Sequence, residues 1–75
     1  MDFSFDKVAD VLYIRFRDEN IEESDEISAG IIIDYSKSKQ IIGLEIINFN
    51  KRNFDLNSLI KLDDDEIIPA IVQCQ

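Results

Sequence analysis

Four stretches of this chain alternate apolar and polar residues with period two, and isoleucine supplies most of the apolar members. Period two is the spacing of side chains on a β-strand, so each stretch reads as a strand with one buried face. Isoleucine is β-branched and suits that environment. In residues 10–17 Leu12, Ile14 and Phe16 lie on one face, with Val11, Tyr13, Arg15 and Arg17 on the other. In residues 31–35 Ile31, Ile33 and Tyr35 oppose Ile32 and Asp34. In residues 41–48 Ile42, Leu44 and Ile46 oppose Ile41, Gly43, Glu45 and Ile47. Phe3 and Phe5 alternate with Asp2, Ser4 and Asp6.

The connections between these stretches are short. Asp6 can start a turn over Lys7, Val8 and Ala9 through its side chain. Ser36 to Gln40 has hairpin length. A four-residue loop there sets Tyr35 against Ile42, Ile33 against Leu44 and Ile31 against Ile46, with all six on one face. A one-residue slip would mix the faces. Gly30 opens a strand and Gly43 lies inside one. A strand glycine marks a bulge or a close backbone approach, or a plain gap in the outer face, and the gap is the simpler reading.

The pattern changes after Asn48. Leu56, Leu59 and Ile60 recur at helical spacing, and Asp55 is a suitable N-cap. This predicts a short amphipathic helix over the sheet's apolar face. In the tail, Pro69 excludes a central strand. It fits the first turn of a second helix capped by Asp64 or Asp65, and it fits an edge strand. The acids Asp63, Asp64, Asp65 and Glu66 favour a helix N-terminus through the dipole; a magnesium-type cluster is the other use of such a run. The expected fold is α+β: an antiparallel β-meander of about four strands with a short C-terminal helix packed on one face. It forms a single domain over residues 1–75, with the meander in 1–49 and a helical or irregular segment in 50–75.

A chain of 75 residues buries only about 60% of its unfolded surface. Chains of this size often add a disulfide, a metal or a second subunit. Cys74 is the one cysteine and there is no histidine, which rules out an internal disulfide and a Cys/His zinc site. Homo-oligomerisation, a dimer first, is the aid that remains.

The formal charge is −8, from 16 acids against 8 bases. Phosphate binding needs clustered lysine and arginine, so nucleic acid and anionic membranes are disfavoured as partners. A basic protein surface or a hard cation is permitted. Met1-Asp2-Phe3-Ser4 lacks the regions of a signal peptide, no run approaches membrane-helix length, and a free thiol suits a reducing compartment. These features predict a cytoplasmic protein. No catalytic constellation is readable: Cys74 and the serines have no histidine to activate them, and two isolated glycines make no phosphate loop. No cofactor is implied.

Three segments taken together carry a resemblance. They are Phe5-Asp6-Lys7-Val8-Ala9-Asp10-Val11-Leu12-Tyr13-Ile14, then Gly30-Ile31-Ile32-Ile33-Asp34-Tyr35, then Ile41-Ile42-Gly43-Leu44-Glu45-Ile46-Ile47. Their order and spacing resemble the prokaryotic family called domain of unknown function 2283 (DUF2283), over about residues 3–49. Phe5 stands where that family commonly has tyrosine, Lys7 where it has proline, and the 36–40 loop lacks its usual glycine. The resemblance implies a small β-meander with a C-terminal element, and a companion role in toxin–antitoxin-like gene pairs. It assigns no residue a role.

Two surfaces are candidates for function. The outer sheet face gathers Val11, Tyr13, Arg15, Arg17, Ile32, Asp34, Glu45 and Ile47, with Ile41 beside them. It is too apolar for a wholly solvated face and suits a protein interface. Its charges are expected to form cross-strand pairs, Arg15 and Arg17 with Asp34 and Glu45. The second surface is the acidic run 18–26, where Glu22, Glu23, Asp25 and Glu26 form a docking patch for a basic protein. A solvated edge that repels stray strands is the simpler use of such a run. A calcium loop would need a glycine and alternating ligands that the run lacks. The expected function is therefore a small acidic interaction module, self-associating, that neutralises a basic toxin-like protein. A small-ligand or divalent-cation-binding protein is the alternative.

Overall fold

The computed structural model describes residues 2–73, side chains of Asp64 and Gln73 excepted. The expectation for Cys74 falls outside these residues. Five antiparallel strands form one sheet: β1 (Asp2–Asp6), β2 (Val11–Arg15), β3 (Glu23–Ser28), β4 (Ile31–Tyr35) and β5 (Ile41–Ile47). A 3-10 turn over Phe49–Lys51 leads to helices α1 (Leu56–Leu59) and α2 (Asp64–Gln73). The α+β class and the antiparallel sheet are as the alternation predicts, but there are five strands rather than four. The extra one, β3, lies in the acidic run, whose sequence has no alternation to betray it.

The strand order is β1-β2-β5-β4-β3, so the last strand in the chain is the central one. A plain meander would place β3 beside β2. Instead the 16–22 connection carries the chain to the far edge, and β4 and β5 return by hairpins. Strands β2 to β5 thus form a Greek-key arrangement.

The register builds two apolar rows on the inner face. One runs Phe3, Ile14, Leu44, Ile33, Asp25, and the other Phe5, Leu12, Ile46, Ile31, Ser28. Leu12, Ile14, Ile31, Ile33, Leu44 and Ile46 are buried, and Leu59, Ile67 and Ile71 complete the cluster from above. Burying one such side chain contributes roughly 1.5–3 kcal/mol, so the three central strands carry most of the sheet's share. Both expected pairs at this end, Ile31–Ile46 and Ile33–Leu44, are present.

The third expected pair is corrected. Ser36 N–H donates to the Gln40 carbonyl, closing a loop of three residues rather than four, with Lys39 at φ 70°. Tyr35 then pairs with Ile41, and the register shifts before Asp34 pairs with Gly43, leaving Ile42 as the extra residue of a β-bulge. The bulge moves Ile41 from the outer face to the core side, where it packs with Tyr35.

The C-terminal cover also differs from expectation. Asp55 caps α1 as predicted, accepting from Asn57 N–H and Ser58 Oγ. Yet α1 is one turn long, and of its predicted apolar stripe only Leu59 is buried, with Leu56 and the following Ile60 left 40% and 42% exposed. The main lid is α2, whose Ile67 and Ile71 are one turn apart and fully buried. The tail is therefore a helix and not an edge strand. Its cap is Asp63, not Asp64 or Asp65: the Asp63 carbonyl accepts from Ile67 N–H at 2.8 Å, and Glu66 Oε1 reaches back to Asp63 N–H at 3.0 Å. The Glu66 contact is the return half of a capping box, a third-position glutamate reaching back to the N-cap N–H. Pro69 falls in the second turn, on the exposed side, where the carbonyl left unbonded by its missing N–H can reach water.

Candidate functional site

The outer face follows from the same register. Its rows are Ser4, Tyr13, Glu45, Ile32, Glu26; then Asp2, Arg15, Gly43, Asp34, Ser24; then Asp6, Val11, Ile47. Seven of the eight predicted outer-face residues therefore share one surface, all at least partly shielded. The eighth, Arg17, lies past the end of β2.

A polar chain crosses this face. The ring of Tyr13 leans from β2 over Gly43 of β5, and its hydroxyl donates to Asp34 Oδ2 on β4 at 2.8 Å. Ser24 Oγ on β3 donates to the other carboxylate oxygen. Three hydrogen-bonding side chains thus tie β2, β4 and β3 together across β5. Asp34 is only 9% exposed, so its carboxylate oxygens take their hydrogen bonds from these donors. Burial, then the hydrogen bond to Asp34, push the Tyr13 phenol up to about 12. Gly43 is the close-approach glycine and not a plain gap: a Cβ there would lie 2.1 Å from the Tyr13 hydroxyl oxygen.

Arg15 and Arg17 both bond backbone carbonyls on or beside the connection that leaves β2. Arg15 reaches Asp18 at 3.6 Å and donates to the carbonyls of Arg17 and Glu19, each at 3.0 Å. Arg17 donates to the Ile41 carbonyl at 3.0 Å. Both serve to fasten the connection that leaves β2. Because Tyr13 and Ser24 satisfy the Asp34 carboxylate, the expected Arg15–Asp34 pair is not what holds it.

The acidic patch does not stay on one surface. Alternation along β3 sends Glu23 and Asp25 to the inner side and Ser24 and Glu26 to the outer. Glu22 precedes the strand and its N–H pairs with the Tyr35 carbonyl. Lys39 forms an ion pair with Glu23, and Glu26 accepts from Gly30 N–H. All four acids are exposed along an edge with no strand beyond it. Among the described residues, no three acids, cysteines or histidines converge as a metal site. No helix is long and apolar enough to cross a membrane.

The opposite edge is the strand predicted from Phe3 and Phe5, but the buried face expected of it stays open. Every residue of β1 is exposed, including Phe3 at 40% and Phe5 at 42%, although both rings point to the core side. Beside them a groove of about 260 Å³ is lined by Phe5, Leu12, Phe49, Asn50 and Leu56. Next to it Asp10, at φ 57° in the β1–β2 turn, accepts from both the N–H and the Nδ2 of Asn50. That tie sets Phe49 edge-on to Phe5, with ring centres 6.1 Å apart. A second clamp was also missed: Arg52 donates to the carbonyls of Ile47 and Ala29, at 2.8 and 2.7 Å, locking the β3–β4 turn to the end of β5. Glycine is needed there, since Gly30 has φ 77° and a Cβ would meet the Arg52 guanidinium.

No curated protein and no solved structure matches the chain. A family model described as "Protein of unknown function (DUF2283)" matches residues 2–50. That span takes in all five strands and the Asp10–Asn50 tie, and it stops short of Arg52 and both helices. The chain belongs to the DUF2283 family.

Proposed function

We propose that this protein is a non-enzymatic acidic interaction module of the cytoplasm, which self-associates and docks a basic protein surface. The observation that carries the reading is the β3 edge, a strand paired on one side only, whose outer backbone groups lie among the exposed carboxylates of Glu22, Glu23, Asp25 and Glu26. An open edge offers main-chain hydrogen bonds to an added strand, and the carboxylates select for lysine and arginine while repelling acidic chains. A basic toxin-like protein is the kind of partner this edge fits, with neutralisation following from occupation of its cationic surface. The net charge of −8 speeds encounter with such a surface.

The test is to change Glu22, Glu23, Asp25 and Glu26 together to their amides and measure affinity for a copurifying basic protein. Exposed ion pairs contribute about 0.2–1 kcal/mol each, so losing four weakens binding on the order of tenfold or more. Raising the salt concentration weakens the unmodified complex in the same direction. An affinity indifferent to both changes overturns the docking reading.

A further inference from the structure

The self-association proposed above has not been given a surface, and the two sheet edges differ in their fitness to supply one. At β3 the inner rows end in Asp25 and Ser28, and the edge carries four exposed acids. Two copies meeting there would oppose carboxylate to carboxylate, which is destabilising. At β1 the inner rows end in Phe3 and Phe5. These rings stand about two-fifths exposed beside the apolar groove of Phe49 and Leu56.

The sequence of β1, Asp2-Phe3-Ser4-Phe5-Asp6, reads the same in both directions. An antiparallel strand meeting its own copy across a two-fold axis at Ser4 therefore matches residue types throughout. Phe3 faces Phe5, Phe5 faces Phe3, and all four rings fall on the core side. Each inner row then continues through the axis into the other copy. The ends of the pairing bring like charges together, a cost of two Asp pairs against the four rings covered. Asp2 stands next to Arg15 in its own sheet and meets Asp6 of the second copy. The Asp6 carboxylate already accepts from the N–H groups of Val8 and Ala9, and Lys7 follows it in the chain. Arg15 also reaches Asp18, so each end stays net acidic, with Arg15 and Lys7 reducing the repulsion.

We propose that β1 pairs antiparallel with β1 of a second copy, joining two sheets into one of ten strands and covering Phe3 and Phe5. The inference rests on the self-association reading and names its surface. An isologous contact of this kind closes on itself, so the product is a dimer and not a filament.

Light scattering and sedimentation at micromolar concentration should give a mass of about twice 8.7 kDa. Phe3→Lys should weaken association on the order of a hundredfold, because the two-fold axis removes the ring twice. Circular dichroism should show the fold retained, since Phe3 lies outside the buried cluster. Glu45→Lys, on the outer face, should leave the dimer intact. In a Cys74→Ser background, Ser4→Cys should give a covalent dimer under mild oxidation, which reports the axis even if Phe3→Lys proves unstable. Raising salt should not weaken this association. A chain monomeric at every concentration overturns the inference and self-association together. A dimer that survives Phe3→Lys but dissociates with Glu45→Lys, or a Ser4→Cys chain that does not cross-link, overturns the β1 surface and leaves self-association standing.

Discussion

The two edges of this sheet solve the same problem in opposite ways. Both β1 and β3 present backbone groups that no other strand among the described residues pairs with. At β3 the apolar rows give out, acids line the strand, and Lys39, Gly30 and the Asp34–Ser24 bond hold it to β4 and its flanking loops. At β1 the apolar rows continue to the last strand and are left partly open. One edge is protected by charge, while the other keeps an apolar surface for a partner. An open edge is therefore not one kind of feature: the residues on its inner row decide whether it repels or recruits.

The largest perturbation breaks the frame that both edges share. Leu44 is fully buried at the centre of an inner row, between Ile14 and Ile33. Leu44→Ala should cost roughly 2–5 kcal/mol by urea denaturation, while Ser38→Ala, in the 37–39 loop, should stay within about 0.5 kcal/mol. Equal shifts would sever the link between register and stability.

A smaller change should separate the edges. Tyr13→Phe removes the hydroxyl that donates to Asp34 and leaves a mostly buried carboxylate with one donor fewer. The expected cost is about 1–3 kcal/mol. Hydrogen exchange should quicken at the amides of β3 and β4 more than at those of β1. Gly43→Ala should act in the same direction, because its methyl group displaces the Tyr13 ring. Uniform quickening across the sheet would show that the polar chain does not favour the acidic side.

The smallest effect is in pH. The Tyr13 pKa lies near 12 in the fold, against 10.0 for the free phenol. The fold therefore holds that proton more tightly than the unfolded chain does. Its contribution to stability is complete below pH ~10 and is lost as pH rises through the folded value. Alkaline titration followed by tyrosinate absorbance should show a late phase that Tyr13→Phe abolishes. A Tyr13 phase at the ordinary phenol pKa would refute the link to Asp34.

Much of this was legible in the sequence, and the failures have physical causes. The alternation around Phe3 and Phe5 and in residues 10–17, 31–35 and 41–48 located four strands, three of which bury one face while β1 leaves both exposed. The strand β3 was invisible because Glu23, Ser24, Asp25 and Glu26 bury nothing: it pairs through backbone, which every sequence possesses. Parity put seven of the eight outer-face residues on one surface, but it missed the bulge at Ile41 and gave none of the chemistry. Parity places Tyr13 beside Glu45, whereas the ring slants across Gly43 to Asp34, and only the register reveals that path. The Ile67–Ile71 spacing was present in the sequence, and Pro69 masked it because a proline in the second turn is tolerated only when it faces outward. Arg52 gave no signal, since its partners are carbonyls brought to it by the fold.

The strand order has a consequence for how the molecule comes into being. The central strand is made last: β5 must slot between β2 and β4, each already paired on its other side by a hairpin neighbour. Hairpins close in about 1–10 μs, whereas a ribosome adds about 5–20 residues per second. The nascent β1–β2 pair therefore waits on the order of seconds before residues 41–47 arrive. Throughout that interval Leu12 and Ile14 line a sheet with no central strand beside them. The newborn chain is thus most adhesive in its middle, at edges the finished molecule no longer has, and substitutions that slow β5 from docking should lower soluble yield before they lower the stability of what does fold.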